Sequence, residues 1–282
     1  MEVVAGHEVV EARPVAGGYT HADRRIVSLA DGRVVFVKTA TDEETAEWLR
    51  AEHHVYAELG GAPFLPELID WCDDGERPAL VLEDLSGCRW PPPWTGRDVG
   101  AVKEVLVEIA ASRVPSGLLE AADWHPRLHR WPQVARDLES FLALGLCREA
   151  WLEAALPVLE SASERASLAG DRLQHFDLRS DNLCVRPDGS VVVVDWNLAT
   201  VGAAHLDLAF WLPSLEDEGG PAPEAVVGAR FPREAALIAG YFAHTAGQPI
   251  IPRAPRVRTV QLAQLRSALP WAARANGLPP PR

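Results

Sequence analysis

The stretch from His175 to Asp195 constrains the fold more than any other part of the chain. It reads His175-Phe176-Asp177-Leu178-Arg179-Ser180-Asp181-Asn182, then an apolar run over 183–186, then Asp188-Gly189, then a valine run over 191–194 that ends on Asp195. An Asp-Gly pair between two β-leaning runs predicts a two-stranded hairpin with a tight turn. Such a hairpin returns the chain to the end it started from. Asn182 and Asp195 are therefore expected at the same end of adjacent strands, with Asp177 a few residues ahead. The spacing predicts three oxygen-bearing side chains around one point.

The flanking chain divides by period. Asp31-Gly32 separates β-leaning runs at 26–29 and 34–37, a second hairpin signal, and Ala16-Gly17-Gly18-Tyr19-Thr20 ahead of it reads as a flexible turn. After Lys38 the pattern turns helical. Thr41 and Glu44 read as a capping box, Ala46, Leu49, His53, Tyr56 and Leu59 follow near helical spacing, and Gly60-Gly61 ends the segment. Residues 64–71, a turn at Asp74-Gly75 and an apolar run over 79–82 complete a strand-rich first third. Residues 87–96 hold Pro91, Pro92 and Pro93, so they read as a stiff connection, and the expected lobe boundary falls just before it, giving 1–86 and 87–282. Downstream, helices are expected over 97–112, 134–144, 149–168, 232–245 and 256–275, with Pro157 kinking the third or starting a turn in it.

Composition narrows the function classes. With 48% hydrophobic residues in 282, the chain can build a substantial core. A net charge of −13 argues against a nucleic-acid partner, because phosphate backbones need clustered Lys and Arg. Cys72, Cys88, Cys147 and Cys184 are scattered with no CxxC pair, which suggests neither a zinc site nor a disulfide framework. No membrane partner is expected, since no apolar run approaches the ~20 residues of a span, and with no leader-like N-terminus the expected location is cytoplasmic.

The chemistry of the three oxygen donors is specific. A carboxylate can orient a hydroxyl and accept its proton, while an amide oxygen and a second carboxylate suit Mg2+, a hard cation. Those are the needs of phosphoryl transfer. The segment 175–182 resembles the HxDxxxxN loop of the aminoglycoside phosphotransferase and choline kinase-like family, and more distantly the catalytic loop of protein kinases. Val194-Asp195-Trp196 resembles that family's metal-binding segment, and Gly202 to Ala209 reads G-x-x-x-x-D-L-A, as the family does there. The resemblance implies an α+β, protein kinase-like two-lobed fold, with a small β-rich N-lobe and a larger, mainly helical C-lobe.

It also implies roles, residue by residue. Asp177 would be the catalytic base, with Arg179 a candidate for neutralising charge on the transferring phosphate or, equally, an arginine paired with an acid. Asn182 and Asp195 would hold Mg2+. His175 and Asp207 would be structural. Lys38 resembles the lysine that contacts the nucleotide phosphates, with Glu52 as its helix partner and Glu47 as a competitor. Gly18, Tyr19 and Thr20 would lie against the phosphates, and Glu83, Asp84 and Leu85 resemble the hinge that meets the base of ATP or GTP.

Asp195 and Asp207 are separated by little chain, and no APE follows. That leaves no platform for a peptide substrate, so the acceptor is expected to be a small molecule carrying a hydroxyl. Candidates for its walls are Asp181, Trp196, Asn197, Trp211 and the acidic run Glu216-Asp217-Glu218. Ten tryptophans offer faces for sugar rings or cations. An acidic pocket would favour an aminoglycoside or another amine-bearing antibiotic or sugar, a role in antibiotic resistance. The alternatives left open are a kinase of a primary metabolite and a catalytically silent nucleotide-binding regulator.

Overall fold

A computed structural model describes residues 3–15, 21–252 and 254–282. In chain order the elements are β1 (Val3–Val4), β2 (His7–Pro14), β3 (Asp23–Leu29), β4 (Val34–Thr39), α1 (Glu43–Leu59), β5 (Leu68–Cys72), β6 (Ala79–Glu83), α2 (Gly96–Ala111), β7 (Leu119–Glu120), α3 (His125–Leu128) and α4 (Trp131–Arg136). There follow α5 (Leu138–Leu142), α6 (Glu149–Glu164), β8 (Arg172–Gln174), β9 (Leu183–Val185), β10 (Val191–Val193), β11 (Thr200–Gly202), α7 (Leu206–Asp217), α8 (Pro223–Val227), α9 (Pro232–Thr245) and α10 (Val257–Ala275). The chain forms two compact units, neither continuous in sequence. The first takes Met1–Pro91, Arg97–Leu118 and Ser180–Ala199, and the second takes the rest. This differs from a single division at residue 86. The β9–β10 hairpin belongs with the N-terminal strands because Arg89 bridges to Val185 and Val193 N–H donates to Phe64 O at 2.8 Å.

The first unit is built on a six-stranded antiparallel sheet in the order β1-β2-β3-β4-β6-β5. Side chains alternate across a strand, so one face of β4 carries Val35 and Val37 and the other carries Phe36 and Lys38. Val35 and Val37 pack into a buried cluster with Val27, Leu29 and Val81. Register then puts Arg24 opposite Lys38 and Ile26 opposite Phe36, with Leu82 of β6 beside Phe36 on its other flank. These residues share the second face, which lines a cavity. α1 starts on a capping box made by Asp42 and Thr45 rather than by Thr41 and Glu44: Asp42 Oδ1 accepts from Thr45 N at 2.9 Å, and Thr45 Oγ1 accepts from Asp42 N at 3.1 Å.

The second unit is mainly helical. α9 lies against α6, α10, α4 and α7 and is its central element. Its Gly240 has no side chain where the Trp131 ring passes, since a Cβ there would sit 2.7 Å from the indole. Trp131 Nε1 donates to Ala236 O at 2.7 Å, which fixes that approach. The helix expected over 134–144 is two short ones, α4 and α5, because Asp137 leaves helical geometry and caps α5 through Ser140 N at 3.1 Å. α6 continues through Pro157 with no turn there. Leu152, Ala155 and Leu159 are buried along it, and that burial outweighs the lost backbone bond. A small sheet, β7-β11-β8, leads the chain out of β8 into the segment that carries His175 and Asp177.

Candidate active site

In the first unit, Lys38 leaves the second face of β4 and its Nζ lies 2.7 Å from Glu52 Oε2 of α1. It also makes a very short contact with Asp195 Oδ1, where the chain leaves β10. Glu52 is itself held on its other oxygen by Tyr56, whose hydroxyl donates to Oε1 at 3.1 Å. Glu47, the competing partner, is exposed on another side of α1. Lys38 and Glu52 are 5% and 1% exposed, so each charge depends on the other for its solvation. Burial pulls the Lys38 ammonium down, but the charges of Asp195 and Glu52 outweigh it and hold the pKa above its ordinary value. Burial pushes Glu52 up, against the pull of Lys38.

A cavity of about 440 Å³ opens over this cluster. Its apolar lining includes Ile26, Phe36, Leu82 and Val194, and its polar lining includes Arg24, Glu52 and Asp195. Glu83, Asp84 and Leu85 lie on its rim. Glu83 N–H donates to Glu67 O at 3.0 Å, and its carboxylate pairs with Arg186 of the hairpin. Asp181 also lines this cavity. Asn182, buried at 1% exposure, and Asp195 flank the open end of the β9–β10 hairpin, where Val193 pairs with Leu183 and Val194 N–H donates to Asn182 O at 3.0 Å. Gly189 makes the turn at the far end with a φ of +95°, a backbone that suits glycine. Asp195 adopts φ +64°, a left-handed conformation uncommon for a residue with a Cβ. Gly18, Tyr19 and Thr20 lie outside the described residues.

In the second unit the loop after β8 presents Asp177. Phe176 before it has φ +68° and is held there by Asp207, whose two carboxylate oxygens accept from His175 N and Phe176 N, each at 2.7 Å. Asp207 N–H in turn donates to Gln174 Oε1 at 3.1 Å. Burial pushes the Asp207 carboxyl up, opposed by His175 and by the two amides. His175 is fully buried, and its Nδ1 accepts from Asp177 N at 3.3 Å. Arg179 reaches back and pairs with the Asp177 carboxylate.

The expected acceptor walls fare differently. Trp196 is fully buried in the first unit, its ring 5.7 Å from Phe64 and its N–H donating to Val193 O at 2.9 Å. It is core and not a pocket wall. Trp211 is also fully buried, edge-on to Trp94 at 5.3 Å in the second unit. Asn197 is half-buried in the short turn after Asp195. Glu216 has one carboxylate oxygen sealed without a partner among the described residues, and burial pushes its pKa up. Glu218 is taken by Trp94 Nε1 and Ser214 Oγ, both at 2.9 Å. Sequence reasoning missed Arg24 and Gln174, whose places follow from strand register and loop packing and not from any local pattern.

Residues 11–236 match the model of the phosphotransferase enzyme family. No curated protein matches the chain in sequence. Among solved structures, a thermostable mutant of aminoglycoside phosphotransferase APH(4)-Ia, in ternary complex with AMP-PNP and hygromycin B, is 16% identical with a TM-score of 0.60, over 96% of this chain and 94% of that one. Choline kinase LicA from Streptococcus pneumoniae is 12% identical with a TM-score of 0.58, over 95% of this chain and 94% of that one.

Proposed function

The chain belongs to the phosphotransferase enzyme family, and from that premise we propose that it moves the γ-phosphate of ATP or GTP to a hydroxyl of a small molecule. The observation that carries this reading is the Lys38–Glu52–Asp195 cluster under a cavity lined by the hinge. A buried lysine held by two carboxylates is a fixed positive charge, which suits the phosphates of a nucleotide whose base sits against Phe36, Leu82 and the 83–85 main chain. Asn182 and Asp195 would hold Mg2+. Among the described residues no three His, Cys, Asp or Glu gather to bind a metal. A two-donor oxygen set nonetheless fits Mg2+, which is commonly bound by one or two protein groups together with substrate phosphates and water. The ion supplies charge neutralisation of the triphosphate when bound.

Asp177 takes the acceptor's proton. The hydroxyl oxygen forms a bond to the γ-phosphorus, the bond from that phosphorus to the β–γ bridging oxygen breaks, and the nucleoside diphosphate leaves with the bridging oxygen's electrons. Asp207 keeps the loop in the left-handed turn that presents Asp177, and Arg179 fixes the carboxylate's direction. A complete set of Lys38, Asp177, Asn182 and Asp195 favours an enzyme over a silent nucleotide-binding regulator.

The test is ADP and GDP release with Mg2+ and a panel of hydroxyl-bearing compounds, with mass spectrometry for a gain of one phosphate. Asp177→Asn is expected to lower turnover by about 10²–10⁴-fold while nucleotide affinity stays nearly constant. Near-normal turnover in that variant would remove Asp177 from the role of base.

A further inference from the structure

Two arginines of the second unit, Arg258 and Arg130, act on the tyrosine that also feels Asp177, where the sequence motifs point to an acidic pocket. Residues 235–282 contain six arginines and no aspartate or glutamate; Arg274 pairs with Glu224 and Arg266 lies near Asp217, while Arg258 lies on the Tyr241 side. That stretch supplies most of α9 and all of α10, which lie along each other. Tyr241 of α9 shares an apolar cluster with Trp124, Phe176 and Phe210. The Phe176 ring stands 5.7 Å from Trp124 and 5.3 Å from Phe210, so an aromatic floor adjoins the residue next to Asp177. The Tyr241 phenol bonds to Gln261 of α10, and Gln261 Oε1 accepts from Arg258 Nη1 at 2.8 Å.

Arg130, at the start of α4, is braced through Nε on Arg127 O at 2.8 Å, and Arg127 lies over the Trp124 ring at 5.1 Å. Burial raises the Tyr241 phenol, the charge of Asp177 raises it further, and the charges of Arg258 and Arg130 pull against both. One phenol therefore stands within electrostatic reach of the candidate base and of two guanidinium groups. Among the described residues no ion pair joins Arg130 or Arg258 to a carboxylate. Asp137, which faces His244 on this side, is occupied in capping α5.

The acidic run lies elsewhere. Asp207, which grips the catalytic loop, is in the first turn of α7, and Glu216 is in the last. Nine residues of helix separate them by roughly 13–14 Å. Glu218 is already bonded to Trp94 and Ser214.

We propose that the acceptor carries an anionic group, a carboxylate or a phosphate ester, beside the hydroxyl presented to Asp177, and that Arg258 and Arg130 hold that group. A guanidinium binds either anion through two parallel N–H donors, which fixes orientation as well as charge. The aromatic floor takes the acceptor's less polar face. This rests on the phosphotransferase reading and fixes the acceptor's charge within it.

The experiment sorts an acceptor panel by charge. One arm holds hydroxy acids and uronic acids, a second holds sugar phosphates, and a third holds aminoglycosides, aminosugars and choline. Phosphate gained in the first or second arm, with KM for that compound rising about tenfold to a hundredfold in Arg258→Gln and in Arg130→Gln, is the expected result. Arg258→Lys should recover part of the loss, and ADP affinity and melting temperature should match wild type in all three variants, which separates lost acceptor binding from misfolding. The arm that reacts says which anion is read. Phosphate gained only in the amine-bearing arm, or an unchanged KM in both Gln variants, overturns the proposal and leaves the phosphotransferase reading intact. No phosphate in any arm, with nucleotide unbound, overturns that reading and the proposal with it.

Discussion

In the proposed reading, Lys38 serves as a phosphate-binding charge only because Glu52 and Asp195 hold it against the cost of burial. Both of its near carboxylates partly cancel that charge, and the cavity also meets Glu83, Asp84 and Asp181. A polyphosphate therefore needs a further cation, and strand register supplies Arg24, paired with Lys38 across β3 and β4 and lining the same cavity. Arg24→Gln is expected to weaken ADP binding about tenfold and leave adenosine binding unchanged, measured by isothermal titration. Equal losses for both ligands would mean that Arg24 shapes the base pocket instead. The hairpin that brings Asn182 and Asp195 to one end was legible in the sequence, because Asp188-Gly189 marks its turn. Arg24 was not, since nothing local to residue 24 says which residue stands across the sheet. The two tryptophans misled for a related reason. An indole reads the same in a pocket wall and in a core, and only the fold around Trp196 and Trp211 decides.

At the scale of elements, α1 matters most because it delivers Glu52 to Lys38. Its N-terminus is set by the reciprocal Asp42–Thr45 bonds, which satisfy otherwise orphaned N–H groups of the first turn. Asp42→Ala should lower the unfolding free energy by about 1 kcal/mol in urea denaturation. Thr41→Ala should cost far less, since among the described residues the Thr41 hydroxyl reaches only His21 O, at an exposed position. Equal costs would return the cap to Thr41. The two candidate boxes differ by one residue, and the sequence does not distinguish them, because both offer a capping oxygen ahead of the same apolar stripe. Long amphipathic helices were legible: α9 spans 232–245 and α10 nearly all of 256–275, because a 3.6-residue stripe persists over several turns. Short elements were less so. α4 and α5 merge into one pattern when Asp137 is read as a helical position, and α7 is largely buried, with little polar face to mark its period.

At the scale of the molecule, the division into units and the distribution of charge were the parts the sequence hid. The hairpin of the catalytic motif joins strands far from it in the chain, a long-range pairing with no local signature. A net charge of −13 conceals its arrangement: residues 235–282, which supply most of α9 and all of α10, hold no aspartate or glutamate. Histidine adds a property of the whole fold. His53 in the first unit, and His129 and His244 in the second, are each lowered in pKa first by burial, and each is also near another His or Arg that lowers it further. A histidine whose folded pKa is depressed binds fewer protons when folded than when unfolded, so its contribution to stability is present above about pH 6.5 and is lost as pH falls through that value. The raised carboxyls Glu216 and Asp217 push the other way, since burial makes them favour the protonated form. A comparison against one variant isolates the histidine contribution. His53 stacks on Trp71 with ring centroids 4.1 Å apart and planes within 5°, so His53→Phe keeps an aromatic partner and removes the proton site. Between about pH 7.5 and about pH 5.5 the wild type should lose more melting temperature than His53→Phe does. Equal losses would mean that the ring titrates alike in the folded and unfolded chain, and that its burial against Trp71 carries no coupling between protons and folding.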